Sequence, residues 1–243
     1  MSKLSELSNR VVKGYAGGRP PELRLHPDAK SFNMGFPIIM KDVQNDSLWL
    51  KRQPRNFDDY PAHVLDILNS NLIKAIKKVG DTQNRKTNVK ADMTDWFMHK
   101  KYKEFKELSI HAEAVAKQMT KDPVAMFTFD CWGAVYRKGE YTKKHSHWGN
   151  LWSWCYYLEV PPDAPPFRFE DITEMGESEP SSFDVYPKEN DLLMFPSWVS
   201  HSVPKSESNS ERIMVAGNIQ TDHSSSSQPN LNQMMQTMVE KYI

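Results

Sequence analysis

The sequence predicts a mainly β protein with flanking helices, in which the strands form a jelly roll and an N-terminal group of helices buttresses one sheet. Two observations support this class. Apolar residues recur at helical spacing in the first half of the chain, and short aromatic or β-branched segments separated by turns follow from residue 124 onward. With 243 residues, the chain has the length of one large domain.

Two amphipathic helices are predicted before the strand-rich region. In each, apolar residues recur at intervals of three and four, so that they form one stripe along the helix. Gly80 ends the first helix and Pro123 ends the second. The stripes consist of Leu65, Leu68, Leu72, Ile76 and Val79 in the first helix, and of Phe105, Leu108, Ala112, Val115 and Met119 in the second.

The chain is expected to form one structural domain, because the strands need the helices to cover an apolar face. A third helix is predicted at the C-terminus, and its methionine-rich stripe suggests a packing or homodimer contact. The predicted parts are an irregular lead-in with one short strand (1–55), a helical buttress (56–122), a double-stranded β-helix core (123–222), and a linker with the C-terminal helix (223–243).

Composition restricts the partners. Lys and Arg number 31, as do Asp and Glu, so the chain lacks the basic excess that nucleic-acid binding needs. It has no apolar run of about 20 residues, which a membrane span requires, and no secretory signal at its N-terminus. We therefore expect a soluble, cytoplasmic protein of a bacterial cell or of a virus-infected host, with no nucleic-acid or membrane partner.

The two cysteines, Cys131 and Cys155, lie in predicted strands and form no C-x-x-C pattern. Buried free thiols are the expected state in a chain so poor in cysteine. A disulfide between neighbouring strands is the alternative.

A candidate metal site lies in the segment YTKKHSHWGNLWSWCYYL. On a strand, His145 and His147 would project from the same face, because successive side chains alternate. His201 follows the buried strand LLMFPSW and is the candidate for a third corner. Arg212 lies eleven residues further, across a predicted hairpin turn. Its guanidinium should therefore reach the same cavity, where it could bind a carboxylate with two hydrogen bonds.

At these residues the chain resembles the Fe(II)/2-oxoglutarate oxygenases. The segments HSH, WSWCYYL, LLMFPSWVSH and ERIMVAGN stand in that family's order over residues 125–220, with the pattern of a bacterial and phage branch. The resemblance implies a double-stranded β-helix (jelly roll) that binds Fe(II), 2-oxoglutarate and O2, with ascorbate as a supporting reductant. It also implies hydroxylation of a peptidyl or small-molecule substrate.

The resemblance implies a role for several residues, and no catalytic residue beyond the metal ligands. His145 and His201 would bind iron, and Arg212 would pair with the distal carboxylate of 2-oxoglutarate. Tyr157 would add a hydrogen bond to that carboxylate, whereas Tyr156 should face the opposite way. Ser153 and Asn218 would form part of the pocket wall.

His147 stands where the family has a carboxylate ligand. Either the site has three histidines, which we favour, or a distant carboxylate completes it. The carboxylates considered are those of Glu170, Asp171 and Asp184.

Two other functions stay open at the level of sequence. A jelly-roll binding or structural module without turnover would explain the missing carboxylate. A cupin-like dioxygenase with three histidines and no cosubstrate would explain the ligands, but it gives Arg212 no role.

Overall fold

The structure is a computed structural model that describes residues 30–33, 37–52, 60–120, 125–170 and 182–221. Most of the predicted lead-in and all of the predicted linker and C-terminal helix lie outside the described residues. Among those described, no helix is long and apolar enough to cross a membrane.

Twelve strands and four α-helices make up the described part of the chain. A 3-10 turn at Val43–Asn45 connects the second strand to the first helix. The helices are α1 (Ser47–Arg52), α2 (Tyr60–Val79), α3 (Met98–Lys101) and α4 (Lys103–Met119). The strands are β1 (Lys30–Asn33), β2 (Pro37–Asp42), β3 (Val89–Lys90), β4 (Asp92–Met93), β5 (Met126–Tyr136), β6 (Tyr141–His145), β7 (Trp152–Glu159), β8 (Phe167–Phe169), β9 (Phe183–Val185), β10 (Asp191–Pro196), β11 (His201–Val203) and β12 (Arg212–Thr221).

The strands form two antiparallel sheets. The larger has the order β1-β2-β10-β7-β12-β5-β4, and the smaller has the order β3-β6-β11-β8-β9. Consecutive strands of the chain repeatedly enter opposite sheets, as in a jelly roll. The predicted class, mainly β with flanking helices, is confirmed.

Two apolar cores lie on opposite faces of the larger sheet. One joins that sheet to the stripes of α2 and α4, with buried side chains that include Leu72, Phe105 and Val115. The other lies between the two sheets and includes Tyr157, Phe169 and Phe195. The two predicted helices are therefore present, and both cover the outer face of the larger sheet.

Strands that precede residue 123 complete both sheets. β2 pairs with β10, β3 with β6, and β4 with β5. Ile38 and Ile39 of β2 are both fully buried although they point to opposite faces, which is typical of an interior strand. The domain boundaries stay predictions, but the segment predicted as a lead-in contributes directly to the larger sheet.

The hairpin predicted between His201 and Arg212 is wrong. β11 pairs with β6 and β8, whereas β12 pairs with β5 and β7. A polar turn between two apolar segments indicates that the chain reverses direction, but it does not indicate that the two strands pair in the same sheet.

Cys131 and Cys155 are buried free thiols, as expected. β12 lies between their strands, with Gly217 opposite Cys131 and Ala216 opposite Cys155. A disulfide between these two cysteines would have to cross this intervening strand.

Candidate metal centre

Three imidazoles meet where β6 ends and β11 begins. His145 and His201 stand directly opposite each other in the antiparallel pair, with ring centroids 4.3 Å apart. The ring of His147 is 4.8 Å from that of His145 and 5.2 Å from that of His201. One potential ligand nitrogen from each residue lies within 4.8 Å of the others. This spacing suits one metal ion between the three rings.

The backbone fixes which nitrogen is available on two of the rings. His145 Nδ1 lies 2.8 Å from the carbonyl oxygen of Lys143, and His201 Nδ1 lies 2.9 Å from that of Val199. A carbonyl oxygen only accepts, so each Nδ1 carries the hydrogen and each Nε2 keeps a free lone pair. Such a tautomer is the one that metal-binding histidines usually have.

All three rings are held in the neutral form. Burial, and then the charge of the neighbouring His145, lower the pKa of His147 to about 3. Burial also lowers the pKa of His145, although backbone hydrogen bonds oppose the shift. The pKa of His201 is well below its usual value because of burial and then the charges of the other two histidines. A neutral imidazole is the form that coordinates metal.

His147 reaches this cluster by a route that differs from the prediction. β6 ends at His145, so His147 lies beyond the strand and strand alternation does not orient it. Its backbone N–H donates to the carbonyl of Ser197 at 2.8 Å, and its own carbonyl accepts from the N–H of Asn150 at 3.2 Å. The assumed strand geometry was therefore wrong for His147, although its ring does join the other two.

Two of the three carboxylates considered as alternative ligands have other partners. Glu170 accepts a hydrogen bond from the Ser202 hydroxyl. Asp184 forms a two-bond ion pair with Arg168, at 2.7 and 2.9 Å. Asp171 lies outside the described residues. Within the described ranges, the group able to hold a metal consists of the three histidines.

Arg212 is a buried cation in the core between the sheets, with a side chain that is 1% exposed. Its Nη1 donates to the carbonyl of Pro165 at 2.9 Å, and its guanidinium lies 4.9 Å from the ring centre of Tyr157. Its Nε and Nη2 and the Tyr157 hydroxyl are buried, and none of the three makes a hydrogen bond of normal geometry among the described residues, although the Tyr157 hydroxyl lies close enough to interact with Arg212. Unpaired buried donors are costly, so this arrangement favours an anionic ligand with several acceptor oxygens.

Tyr156 and Tyr157 point to opposite sides of β7, as predicted. The Tyr156 hydroxyl donates towards Asn69 and Asn190 at 2.9 and 3.0 Å, under α2. Tyr157 belongs to the core between the sheets, where burial raises the pKa of its hydroxyl well above the usual value. Tyr157 therefore stays protonated and can act as a donor.

A cavity of about 430 Å3, including its open mouth, lies beside the three histidines. It extends from the histidines along the inner face of the larger sheet to Tyr136 and Met214. Arg212 does not line it, although its guanidinium lies 5.8 Å from the Tyr136 ring centre. The Met214 side chain stands two residues along β12 from Arg212, and methionine adapts its shape readily. The residues that line the cavity are Val89, Trp132, Tyr136, Thr142, His145, His147, Ser153, Trp154, Cys155, Phe167, Phe195, His201, Val203, Met214, Ala216, Gly217 and Asn218.

Ser153 and Asn218, predicted as pocket wall, both line this cavity and bond to each other. Asn218 Nδ2 donates to the carboxylate of Asp130 at 2.8 Å. Burial raises the pKa of Asp130 to about 6, although hydrogen bonds from Asn218 oppose the shift. Sequence reasoning missed Asp130, yet an acid inside the apolar segment AMFTFDCWGAVY was a usable signal, because buried carboxylates are rare.

Residues 130–218 match the family model described as 2OG-Fe(II) oxygenase. The matched segment contains all seven candidate site residues: His145, His147, Ser153, Tyr157, His201, Arg212 and Asn218. By sequence, the chain has no match among curated proteins.

Several solved structures share the fold. The 2-oxoglutarate complex of the viral collagen prolyl hydroxylase of Paramecium bursaria Chlorella virus-1 is 16% identical (TM-score 0.50, covering 63% of this chain and 90% of that one). A prolyl-4-hydroxylase of Pseudomonas putida is 15% identical (TM-score 0.50, 67% and 88%). HygX of Streptomyces hygroscopicus, with nickel and 2-oxoglutarate bound, is 8% identical (TM-score 0.54, 75% and 82%). At these identities the likeness supports the jelly-roll fold.

Proposed function

We propose that this chain, which belongs to the Fe(II)/2-oxoglutarate oxygenase superfamily, binds Fe(II) through His145, His147 and His201 and uses 2-oxoglutarate as its cosubstrate. One observation carries the proposal. Three neutral imidazoles converge near one end of the cavity, and a buried arginine with unpaired donors lies beyond its other end.

The three histidines fit a divalent metal. His145 and His201 stand opposite each other on paired strands and each keeps a free Nε2, and the His147 ring approaches from the adjoining loop, with one potential ligand nitrogen of each residue within 4.8 Å of the others. A set of three protein ligands leaves coordination positions for a cosubstrate and O2, as does the usual set of two histidines and one carboxylate. A third imidazole leaves the metal one charge more positive than that set does, which favours binding of a dianion.

Arg212 fits the distal carboxylate of 2-oxoglutarate. Its Nε and one terminal nitrogen can donate two parallel hydrogen bonds to a carboxylate. The Tyr157 hydroxyl can add a third, since it is protonated, and an interaction of its oxygen with Arg212 leaves its hydrogen available for donation. Entry of the cosubstrate requires Met214 to turn aside, because the cavity ends at that side chain and at Tyr136.

When bound, iron and 2-oxoglutarate supply the activation of O2 and the oxidation of a C–H bond, with release of succinate and carbon dioxide; ascorbate would keep the metal reduced. The chain's residues hold and orient these groups. Apolar side chains such as Phe167 and Phe195 exclude water from the inner part of the cavity.

The substrate is proposed to be a peptidyl side chain or a small molecule that is hydroxylated. Two structural neighbours are prolyl hydroxylases, which supports this substrate class. The cavity mouth opens beside a loop whose Trp148 is 79% exposed. Such an exposed aromatic beside a polar site is suited to contact a substrate.

Replacing Arg212 with Ala tests the cosubstrate site. We expect 2-oxoglutarate to bind the Mn(II)-loaded variant about 100-fold more weakly, because two charge-assisted hydrogen bonds are lost. Calorimetric titration measures the affinity, and succinate release under air with Fe(II) and ascorbate measures turnover. Arg168→Ala is the matched control, since it removes a half-exposed guanidinium that pairs with Asp184 outside the cavity.

Unchanged 2-oxoglutarate affinity in Arg212→Ala would remove the proposed cosubstrate site. A wild-type protein that binds metal and 2-oxoglutarate but releases no succinate would be a binding module without turnover. Turnover of a substrate without 2-oxoglutarate would instead favour the cupin-like chemistry.

A further inference from the structure

A row of buried polar side chains crosses four neighbouring strands of the larger sheet beside the cavity. Asp130 lies on β5, Asn218 on β12, Ser153 on β7, and Ser197 directly follows β10. All four are buried. Asn218 stands opposite Asp130 on one side and opposite Ser153 on the other, so strand register itself aligns the row.

The hydrogen bonds of the row have one defined direction. Asn218 Nδ2 donates to Asp130 Oδ1 at 2.8 Å, and Asn218 Oδ1 accepts from the Ser153 hydroxyl at 2.7 Å. Ser153 has a single hydroxyl hydrogen. The 2.8 Å contact between the hydroxyls of Ser153 and Ser197 is therefore donated by Ser197.

The row ends at the backbone of His147. The carbonyl of Ser197 accepts the His147 N–H at 2.8 Å. On its other side, the His147 carbonyl accepts from the backbone and side-chain amides of Asn150, at 3.2 and 3.3 Å. Asn150 in turn accepts from the side chain of Gln220 on β12 at 3.0 Å.

The other two histidines are fixed differently. His145 and His201 belong to paired strands, so the backbone ladder between β6 and β11 sets their positions. His147 lies outside any strand, and its backbone is bound to groups that belong to or adjoin the larger sheet. The ring that stands in the place of the family's carboxylate is thus held outside any strand ladder, by bonds to Ser197 and Asn150, and the side chains of these two residues are hydrogen-bonded to the larger sheet.

We propose that the buried row Asp130–Asn218–Ser153–Ser197 holds His147 in the position of the third metal ligand. The four are positioning residues, which act on the metal through His147. The proposal rests on the part of the proposed function in which the three histidines bind a divalent metal.

A double-mutant cycle with Co(II) tests the row. The full chain is titrated with Co(II) as wild type, Ser153→Ala, His147→Ala and the double variant, and the visible absorption of bound Co(II) reports the ligand set. We expect Ser153→Ala to weaken Co(II) binding about 10- to 100-fold, as is typical when an outer partner of a ligand is lost, and to alter the spectrum. In the His147→Ala background, the same change should have no further effect.

Tyr156→Phe is the matched control, because it removes buried hydrogen bonds on the opposite face of the same strand. It should cost similar stability and leave the Co(II) spectrum and affinity unchanged. If Ser153→Ala does not fold, Ser197→Ala breaks the same hydroxyl contact and keeps the carbonyl that binds His147.

Two results would overturn the proposal that the row holds His147 in position. One is a Ser153→Ala protein with wild-type Co(II) affinity and spectrum. The other is an equal loss with and without His147, which would indicate general loosening of the cavity. If the wild type still releases succinate in either case, the proposed function stands and only the positioning role of the row is contradicted. A wild type that binds no Co(II) would overturn the row and the three-histidine site together.

Discussion

Asp130 is a carboxyl group whose proton should be linked to folding. Its pKa is about 6 in the folded chain, against an ordinary 3.8, chiefly because of burial. Between these values the folded state holds a proton that the unfolded state has released. The free energy of unfolding therefore falls as pH rises through this window. The full decrease, about 3 kcal/mol, is reached above pH 6.

Asp130→Asn should remove this pH dependence. An amide oxygen can accept the same two hydrogen bonds from Asn218, at 3.1 and 2.8 Å in the wild type, without being charged. We expect the variant to gain up to about 3 kcal/mol over the wild type at pH 7.5 and almost nothing at pH 4. Urea unfolding of both proteins across this range measures the difference, and a constant difference at all pH values would contradict the linkage.

Some individual residues of the candidate site could be identified from the sequence, and others could not. His145, His201 and Arg212 stand in short segments whose spacing is informative even without coordinates. Ser197 could not be identified from the sequence, because its contact with His147 is made by a backbone carbonyl, which every residue has. Its partner in that bond is His147, 50 positions earlier in the chain, and sequence spacing carries no signal for such a pair.

Among the elements, α2 depends on a glycine in the strand beneath it. A Cβ at Gly133 of β5 would overlap the side chain of Ile76 near its branch point. The helix can therefore lie directly on the sheet only because residue 133 has no side chain. Ile76 is itself buried in the core shared by α2, α4 and the larger sheet.

Gly133→Ala should destabilise the chain by about 1–3 kcal/mol, the usual range for an overpacked core. Ile76→Ala should destabilise the Gly133→Ala protein less than it destabilises the wild type, because it empties the space into which the new methyl projects. Thermal unfolding of the two single variants and the double variant measures the coupling. Strictly additive losses would show that the helix does not rest on this contact.

The prediction of helices and strands succeeded where a periodic apolar pattern extended over a long segment. It failed where the outcome depended on which strands pair with each other. The stripes of α2 and α4 are local, and a helix follows from them directly. The partner of β11 is not local, since its neighbours come from positions 141–145 and 167–169. The segment between β11 and β12 has hairpin composition, but it crosses from one sheet to the other.

For the whole molecule, the candidate site is shared between the two sheets. His145 and His201 come from the smaller sheet, whereas Tyr157 and Arg212 come from the larger one. Ligands that contact both groups bind only when the sheets face each other. Their binding energy should therefore add to the stability of the folded chain.

Thermal melting should show this addition in two steps. Mn(II) at 100 times its Kd should stabilise the wild type by about 2.7 kcal/mol, which raises Tm by about 5–10 °C for a chain of this size. 2-Oxoglutarate should raise Tm again, because in the proposed function it would bridge the metal and Arg212. Arg212→Ala should keep the first rise and lose most of the second. A second rise of full size in that variant would place the cosubstrate elsewhere.

The carbonyl contacts of His145 and His201 also determine the proton balance of metal uptake. In many metal sites, ligands must lose protons before they coordinate, so affinity falls steeply as the solution becomes more acidic. Here burial has already removed the ring charge, and the carbonyls of Lys143 and Val199 hold the one remaining ring hydrogen away from the metal position. The rings are therefore neutral before any metal arrives, and under the proposed function metal uptake at neutral pH would release no protons from them.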